Sequence, residues 1–133
     1  MKKLFLLLFV LGLCVSSKAQ VHTYKTTQYA RKYINSSGNW TKWSSWKKSN
    51  ITMTIDFNGD FITIYSPKTQ VYKITKCTRK FTDSSGGKQV EFAFVNQDKD
   101  KGHIRLRIGA NGNSQVYIEF NNIMWVYNVK RTN

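Results

Sequence analysis

The later half of the chain repeats one pattern: apolar and polar side chains trade places at every residue. Ile104, Leu106 and Ile108 alternate with His103, Arg105 and Arg107, and Val116, Ile118 and Phe120 alternate with Gln115, Tyr117 and Glu119. Val90, Phe92 and Phe94 continue the theme beside Gln89 and Glu91. A period of two places each apolar set on one face of a strand. A polar opposite face marks an antiparallel sheet with one wet side. Turn residues punctuate the sequence at intervals of about ten, a spacing that favours an all-β sandwich or barrel.

The hairpin registers follow from arithmetic. Met53, Ile55 and Phe57 share a face with Ile51, and Asn58-Gly59 is a strong hairpin signal. A turn there pairs Phe57 with Asp60, Ile55 with Ile62 and Met53 with Ile64, so Ile62 and Ile64 point inward. Asn111-Gly112 cannot form a simple two-residue turn, because inward Ile108 would face outward Gln115. A three-residue loop with a bulge is expected instead, with Arg105 opposite Glu119 and Arg107 opposite Tyr117.

Strands are expected near 22–33, 51–57, 60–66, 70–77, 88–96, 103–109, 115–121 and 124–131, with residues 40–48 either an extra strand or a short helix. An antiparallel up-and-down meander of about eight strands leaves two open edges unless it closes, so a small barrel is the expected all-β fold. Its inward side chains contribute roughly 1.5–3 kcal/mol each when fully buried.

Residues 1–19 read as an export signal: Met1-Lys2-Lys3, an apolar run from Leu4 to Val15, then Ser17-Lys18-Ala19 before cleavage at Gln20. The run falls short of the roughly 20 residues that span a bilayer, and no later stretch is a transmembrane segment. A lipid anchor on Cys14 is disfavoured by Leu13, where such signals carry a small residue. The expected product is one domain, residues 20–133, in the periplasm or secreted. It has 133 − 19 = 114 residues and a formal charge of 18 − 7 = +11 once Lys2, Lys3 and Lys18 are removed. Such a field attracts polyanions or anionic membrane surfaces, although charge also serves solubility. Cys77 is the only cysteine left, so no internal disulfide can form; a strand position suggests a buried, inert thiol.

The stretch "GNWTKWSSWKKSN" concentrates Trp40, Trp43 and Trp46 before Lys47 and Lys48. The rings read as structural plugs at a barrel end, or as a partly exposed aromatic rim beside cations that stacks on sugars or bases or enters a membrane interface.

The lysine-led leader ending Ala19-Gln20, with "IDFNGDFITIYS" and "QVYIEFNNIMWVYNV", resembles small exported all-β proteins of the Bacteroidetes, many of them lipocalin-like or calycin-like. "GNW" at 38–40 resembles the lipocalin Gly-x-Trp signature. The resemblance implies a barrel able to hold a small apolar ligand, with Trp40 closing one end under Lys130 or Arg131. The chain departs from that pattern in "TKWSSW", which lacks alternation, and in the strand-like 22–33 ahead of the signature.

Catalytic chemistry finds little support. His22 and His103 sit in no recognisable motif, and Asp56, Asp60, Asp83, Asp98 and Asp100 fall where turns need them. "DKDKG" at 98–102 begins like a calcium loop but lacks the further ligands and the distal Glu. No cofactor or metal is implied. Asn35, Asn39 and Asn50 begin glycosylation sequons that matter only in a eukaryotic secretory pathway. The sequence therefore reads first as a non-enzymatic exported barrel binding a small apolar or amphipathic molecule. The alternative is a basic surface-contact protein for anionic polysaccharide, nucleic acid or membrane. The sequence does not set the oligomeric state.

Overall fold

The computed structural model describes residues 21–132; the expected leader, with Cys14 and its cleavage point, lies outside them. The strands are β1 (Val21–Tyr33), β2 (Lys47–Lys48), β3 (Thr52–Asp56), β4 (Phe61–Ile64) and β5 (Gln70–Thr82), followed by β6 (Lys88–Asn96), β7 (Lys101–Ile108), β8 (Ser114–Glu119) and β9 (Ile123–Arg131). Apart from the two-residue β2, eight antiparallel strands follow one another around a closed barrel. β9 returns to pair with β1, with Tyr127 opposite Tyr29 and Ile123 opposite Tyr33. The fold is a small lipocalin-like or calycin-like barrel. No helix among the described residues is long and apolar enough to cross a membrane.

The first hairpin has the expected register: Met53 faces Ile64 and Ile55 faces Ile62. The turn itself differs. Asp60, not Gly59, takes the left-handed conformation at φ 61°, and Asp56 Oδ1 accepts from the Asn58 and Gly59 amides at 3.0 Å each. The carboxylate organises a four-residue loop, 57–60, closed by the Asp56–Phe61 pair, in the register that a two-residue turn would give.

Four other loops share one design. At 35–39, 83–87, 96–100 and 109–113 the first residue's N–H reaches the fifth residue's carbonyl, and the fourth residue's N–H returns to the first residue's carbonyl. The fourth residue is left-handed each time: Gly38, Gly86, Lys99 and Gly112. In the first three, a side-chain oxygen of Asn35, Asp83 or Asn96 also accepts two loop amides. The bulged loop expected at Asn111-Gly112 is present, but it is one pair tighter. Arg105 faces Tyr117, Arg107 faces Gln115, and His103 faces Glu119.

Strand β5 runs to Thr82, five residues past its expected end. Beyond β4 it pairs only with β6, and it is bulged at Thr75 and Thr78. Those bulges break the alternation in the sequence. With exposed Lys76, Arg79 and Lys80 they also blunt a bare edge. Cys77 lies in this stretch and is exposed, not buried as expected.

The lumen is filled by side chains. Met53, Ile62, Ile64, Ile104 and Ile118 are all but inaccessible, and Phe94 meets Tyr72 and Phe120 edge-on at 4.8 and 5.4 Å. Gln70 supplies the polar partner there. It accepts from the Tyr72 hydroxyl and donates to Ser66 Oγ at 3.0 Å. Burial pushes the phenols of Tyr72 and Tyr127 up, holding both neutral.

Candidate functional site

Residues 41–48 follow the free edge of β1, forming a ladder with it only at β2. The Thr41 amide donates to the Tyr33 carbonyl at 2.7 Å, and the Thr41 hydroxyl accepts from the Tyr33 amide at 3.0 Å. Ser44 repeats the arrangement with Arg31, at 2.8 and 3.0 Å. Hydroxyls standing in for carbonyls explain why "TKWSSW" lacks alternation: the chain is held to a strand without being one. Lys47 and Lys48 then pair with Tyr29 and Gln28.

This course sets the tryptophans against the outside of the barrel. Trp40 bridges to Ile34, and Lys32 Nζ lies 5.4 Å from the Trp40 ring and 4.7 Å from the Trp43 ring. The cation beside Trp40 therefore comes from the first strand. Lys130 and Arg131, expected to cover it, stand at the other end of β9, opposite Lys25 and Tyr24. Trp43 reaches the Tyr117 ring at 6.2 Å, and the Arg105 guanidinium caps that tyrosine at 4.2 Å. Trp43 and Trp46 stay 37% and 44% exposed, with Lys42, Lys47 and Lys48 exposed around them. The structure thus brings Trp40 and Trp43 together around Lys32, and keeps Trp46, Lys47 and Lys48 in the neighbouring stretch.

From Tyr117 a cross-strand row continues through Arg105, Glu91 and Arg79. Arg79 Nε meets Glu91 Oε1 at 3.0 Å. With His103, Glu119 and Met124 these residues line a hollow of about 180 Å³. A histidine and two carboxylates share it, yet one carboxylate is committed to Arg79 and the Tyr117 hydroxyl donates to Gln115 at 3.1 Å. The hollow offers charges and ring edges to a polar group, and no nucleophile–base pair is assembled in it.

A second row is wholly polar. Asn128 Nδ2 donates to Gln28 Oε1 at 3.1 Å, and Gln115 Nε2 donates to Asn128 Oδ1 at 2.9 Å. Gln115 then faces Arg107. At the β1 end of this row, Lys25, Thr27, Gln28, Lys48, Ser49 and Asn50 surround a shallow hollow of about 610 Å³.

Sequence reasoning finds the tryptophans and Lys47-Lys48 but not Lys25, Lys32 or Tyr117, and it names Lys130 only as a cover for Trp40. Their grouping depends on the β1–β9 seam, whose register slips between Asn128 and Val129, and no local signal in the sequence reveals that slip. No family model, no curated protein and no solved structure matches this chain.

Proposed function

We propose that the protein is an exported, non-enzymatic binding module that holds an acidic polysaccharide against the outside of its barrel. One observation carries this reading: Trp43 and Trp46 remain exposed among Lys42, Lys47 and Lys48, none of which shares in the ion pairs Arg79–Glu91 and Arg107–Asp83. Exposed indoles stack on sugar rings, and the lysines meet the acidic groups that the rings carry. The amide row of Gln28, Asn128 and Gln115 beside them suits hydroxyls better than lipid tails, and a charge of 18 − 7 = +11 supplies the long-range attraction.

The other reading places a small apolar ligand in the barrel. The packed lumen around Phe94, Ile104 and Ile118 favours the outer wall over it.

The test is titration of a sulfated polysaccharide against the protein at rising salt, followed by tryptophan fluorescence. Released counterions make the affinity fall steeply with salt, and Trp43→Ala with Trp46→Ala lowers it roughly tenfold or more, given about 1–3 kcal/mol per stacked ring. Salt-independent quenching by an apolar molecule, with no response to the polymer, sinks the proposal. Preference for single-stranded DNA or anionic vesicles over the polysaccharide transfers the surface to those partners and overturns the sugar assignment.

A further inference from the structure

Lys25 on β1 and Lys130 on β9 are direct cross-strand neighbours, and both are exposed. Like charges placed so destabilise a sheet. Neither lysine takes part in the Arg79–Glu91 or the Arg107–Asp83 ion pair.

The backbone steps on both edges of β1 beside this pair. Toward β9, Thr26 faces Val129 while Gln28 faces Asn128, so Thr27 has no opposite residue. On the other edge Lys25 faces Thr52, but Gln28 faces Lys48. The two steps coincide and open the hollow of about 610 Å³. Its floor is fixed by Thr26, whose Oγ1 lies 2.7 Å from Ser49 Oγ and accepts from the Ile51 amide at 3.0 Å. Gln28 commits its oxygen to Asn128, which leaves its amide nitrogen as a donor. No carboxylate lines the hollow. The groups around it are thus mainly cations and donors.

We propose that this hollow is an oxyanion site, in which a sulfate or phosphate group sits between Lys25 and Lys48 and takes a hydrogen bond from Gln28, with Lys130 outside the lining as the cross-strand neighbour of Lys25. The anion's oxygens accept from several donors at once, and its charge relieves the repulsion between Lys25 and Lys130. Lys48 also belongs to the surface assigned to the polysaccharide. The site stands without that assignment, because a free inorganic anion satisfies it.

The experiment follows backbone amide shifts of Thr27, Ser49 and Asn50 as sodium sulfate or sodium phosphate is added, with sodium chloride at matched ionic strength as control. Saturable shifts with sulfate or phosphate but not chloride are expected. Lys25→Gln with Lys48→Gln weakens them at least roughly tenfold, as charge-assisted contacts are lost. Lys130→Gln raises the melting temperature in low salt without added anion and removes the extra gain that sulfate gives the parent protein. A sulfated polysaccharide that shifts these amides when the inorganic anions do not assigns the site to an esterified anion. No saturable shift from any of the three, or equal shifts in the parent and the double variant, overturns the proposal.

Discussion

Arg107 donates from Nε to Asp83 Oδ2 at 2.8 Å, fastening β7 to the turn between β5 and β6. Its Nη2 reaches Ser85 Oγ at 2.8 Å, and Gln89 Nε2 donates to the same carboxylate oxygen at 2.7 Å. Oδ1 takes the amides of Ser85 and Gly87. The guanidinium, then the Ser85 hydroxyl and the Gly87 amide, hold the Asp83 carboxyl far below the usual carboxylate range. A carboxylate depressed in the fold contributes stability above its unfolded value near 3.9, and loses it as pH falls from there through the lower native value. Asp83→Asn should therefore melt below the parent by a constant margin between pH 5 and 7. The margin should shrink below about pH 4. A margin independent of pH down to strong acid would deny the carboxylate this role.

His22 predicts a second acid-sensitive contribution. Burial, and then the Arg131 charge, lower its pKa, and its buried Nδ1 has no hydrogen-bond partner. The unfolded chain takes up the proton first, so stability falls as pH drops from about 6.5 toward the lower native value. His22→Phe should keep the edge-on contact to Phe57, now 5.4 Å between centroids, and flatten the melting temperature between about pH 6.5 and 5. An unchanged profile in the variant would exclude His22 as its source.

The alternation that reveals the sheet does not tell its depth. Ile104, Leu106 and Ile108 look equivalent in sequence, but Ile104 is 0% and Ile108 59% exposed. Ile108 is the last residue of β7, beside the 109–113 loop, where the row has run past the packed centre. Ile104→Ala should cost about 2–5 kcal/mol, and Ile108→Ala at most about 0.5 kcal/mol. Denaturant unfolding of both variants checks the contrast. Comparable losses would mean that the strand end is covered in solution.

Lys99 departs from its three sister loops. It holds φ 70° where Gly38, Gly86 and Gly112 stand in the equivalent loops. A side chain in that conformation costs roughly 1–2 kcal/mol, partly offset by the entropy a glycine loses on folding. Lys99→Gly should stabilise the protein by about 0.5–1 kcal/mol, seen as a higher denaturant midpoint at unchanged slope. A lower midpoint would show that the lysine side chain makes contacts worth more than the strain.

The strands were legible from the period-two pattern, the first hairpin register from that pattern and Asn58-Gly59, and the closing of the barrel from the two open edges that a sequential meander would otherwise leave. The shared loop design was also present, in "NSSGN", "DSSGG" and "NQDKD". It is easily overlooked because its third member replaces glycine with lysine. The outer wall was legible only in part. Trp40, Trp43, Trp46, Lys47 and Lys48 advertise themselves by composition, whereas Lys32, Tyr117 and the Lys25–Lys130 pair meet only across a seam joining the two ends of the described chain. The Arg105 and Arg107 partners were misplaced for a related reason: the loop at 109–113 is one residue pair tighter than alternation alone requires.

Thr26 offers the sharpest test of the step in β1. It is the one buried polar residue of the described core, at 1% exposure, and its hydroxyl serves both Ser49 and the Ile51 amide. Thr26→Val keeps the shape and removes the oxygen, leaving the Ile51 N–H without that acceptor. An orphaned buried donor costs about 1–3 kcal/mol. Thr26→Ser keeps the hydroxyl and loses only a methyl group, about 0.8 kcal/mol of burial. Two readouts separate the hydrogen bond from simple packing: the stability order Thr, Ser, Val, and faster hydrogen exchange at the Ile51 amide in the valine variant alone. If valine proves as stable as threonine and Ile51 stays protected, the step is held by backbone pairing and the hydroxyl is incidental. If the order holds, one side-chain oxygen fixes where β1 changes register, and with it where Lys48 stands beside Lys25.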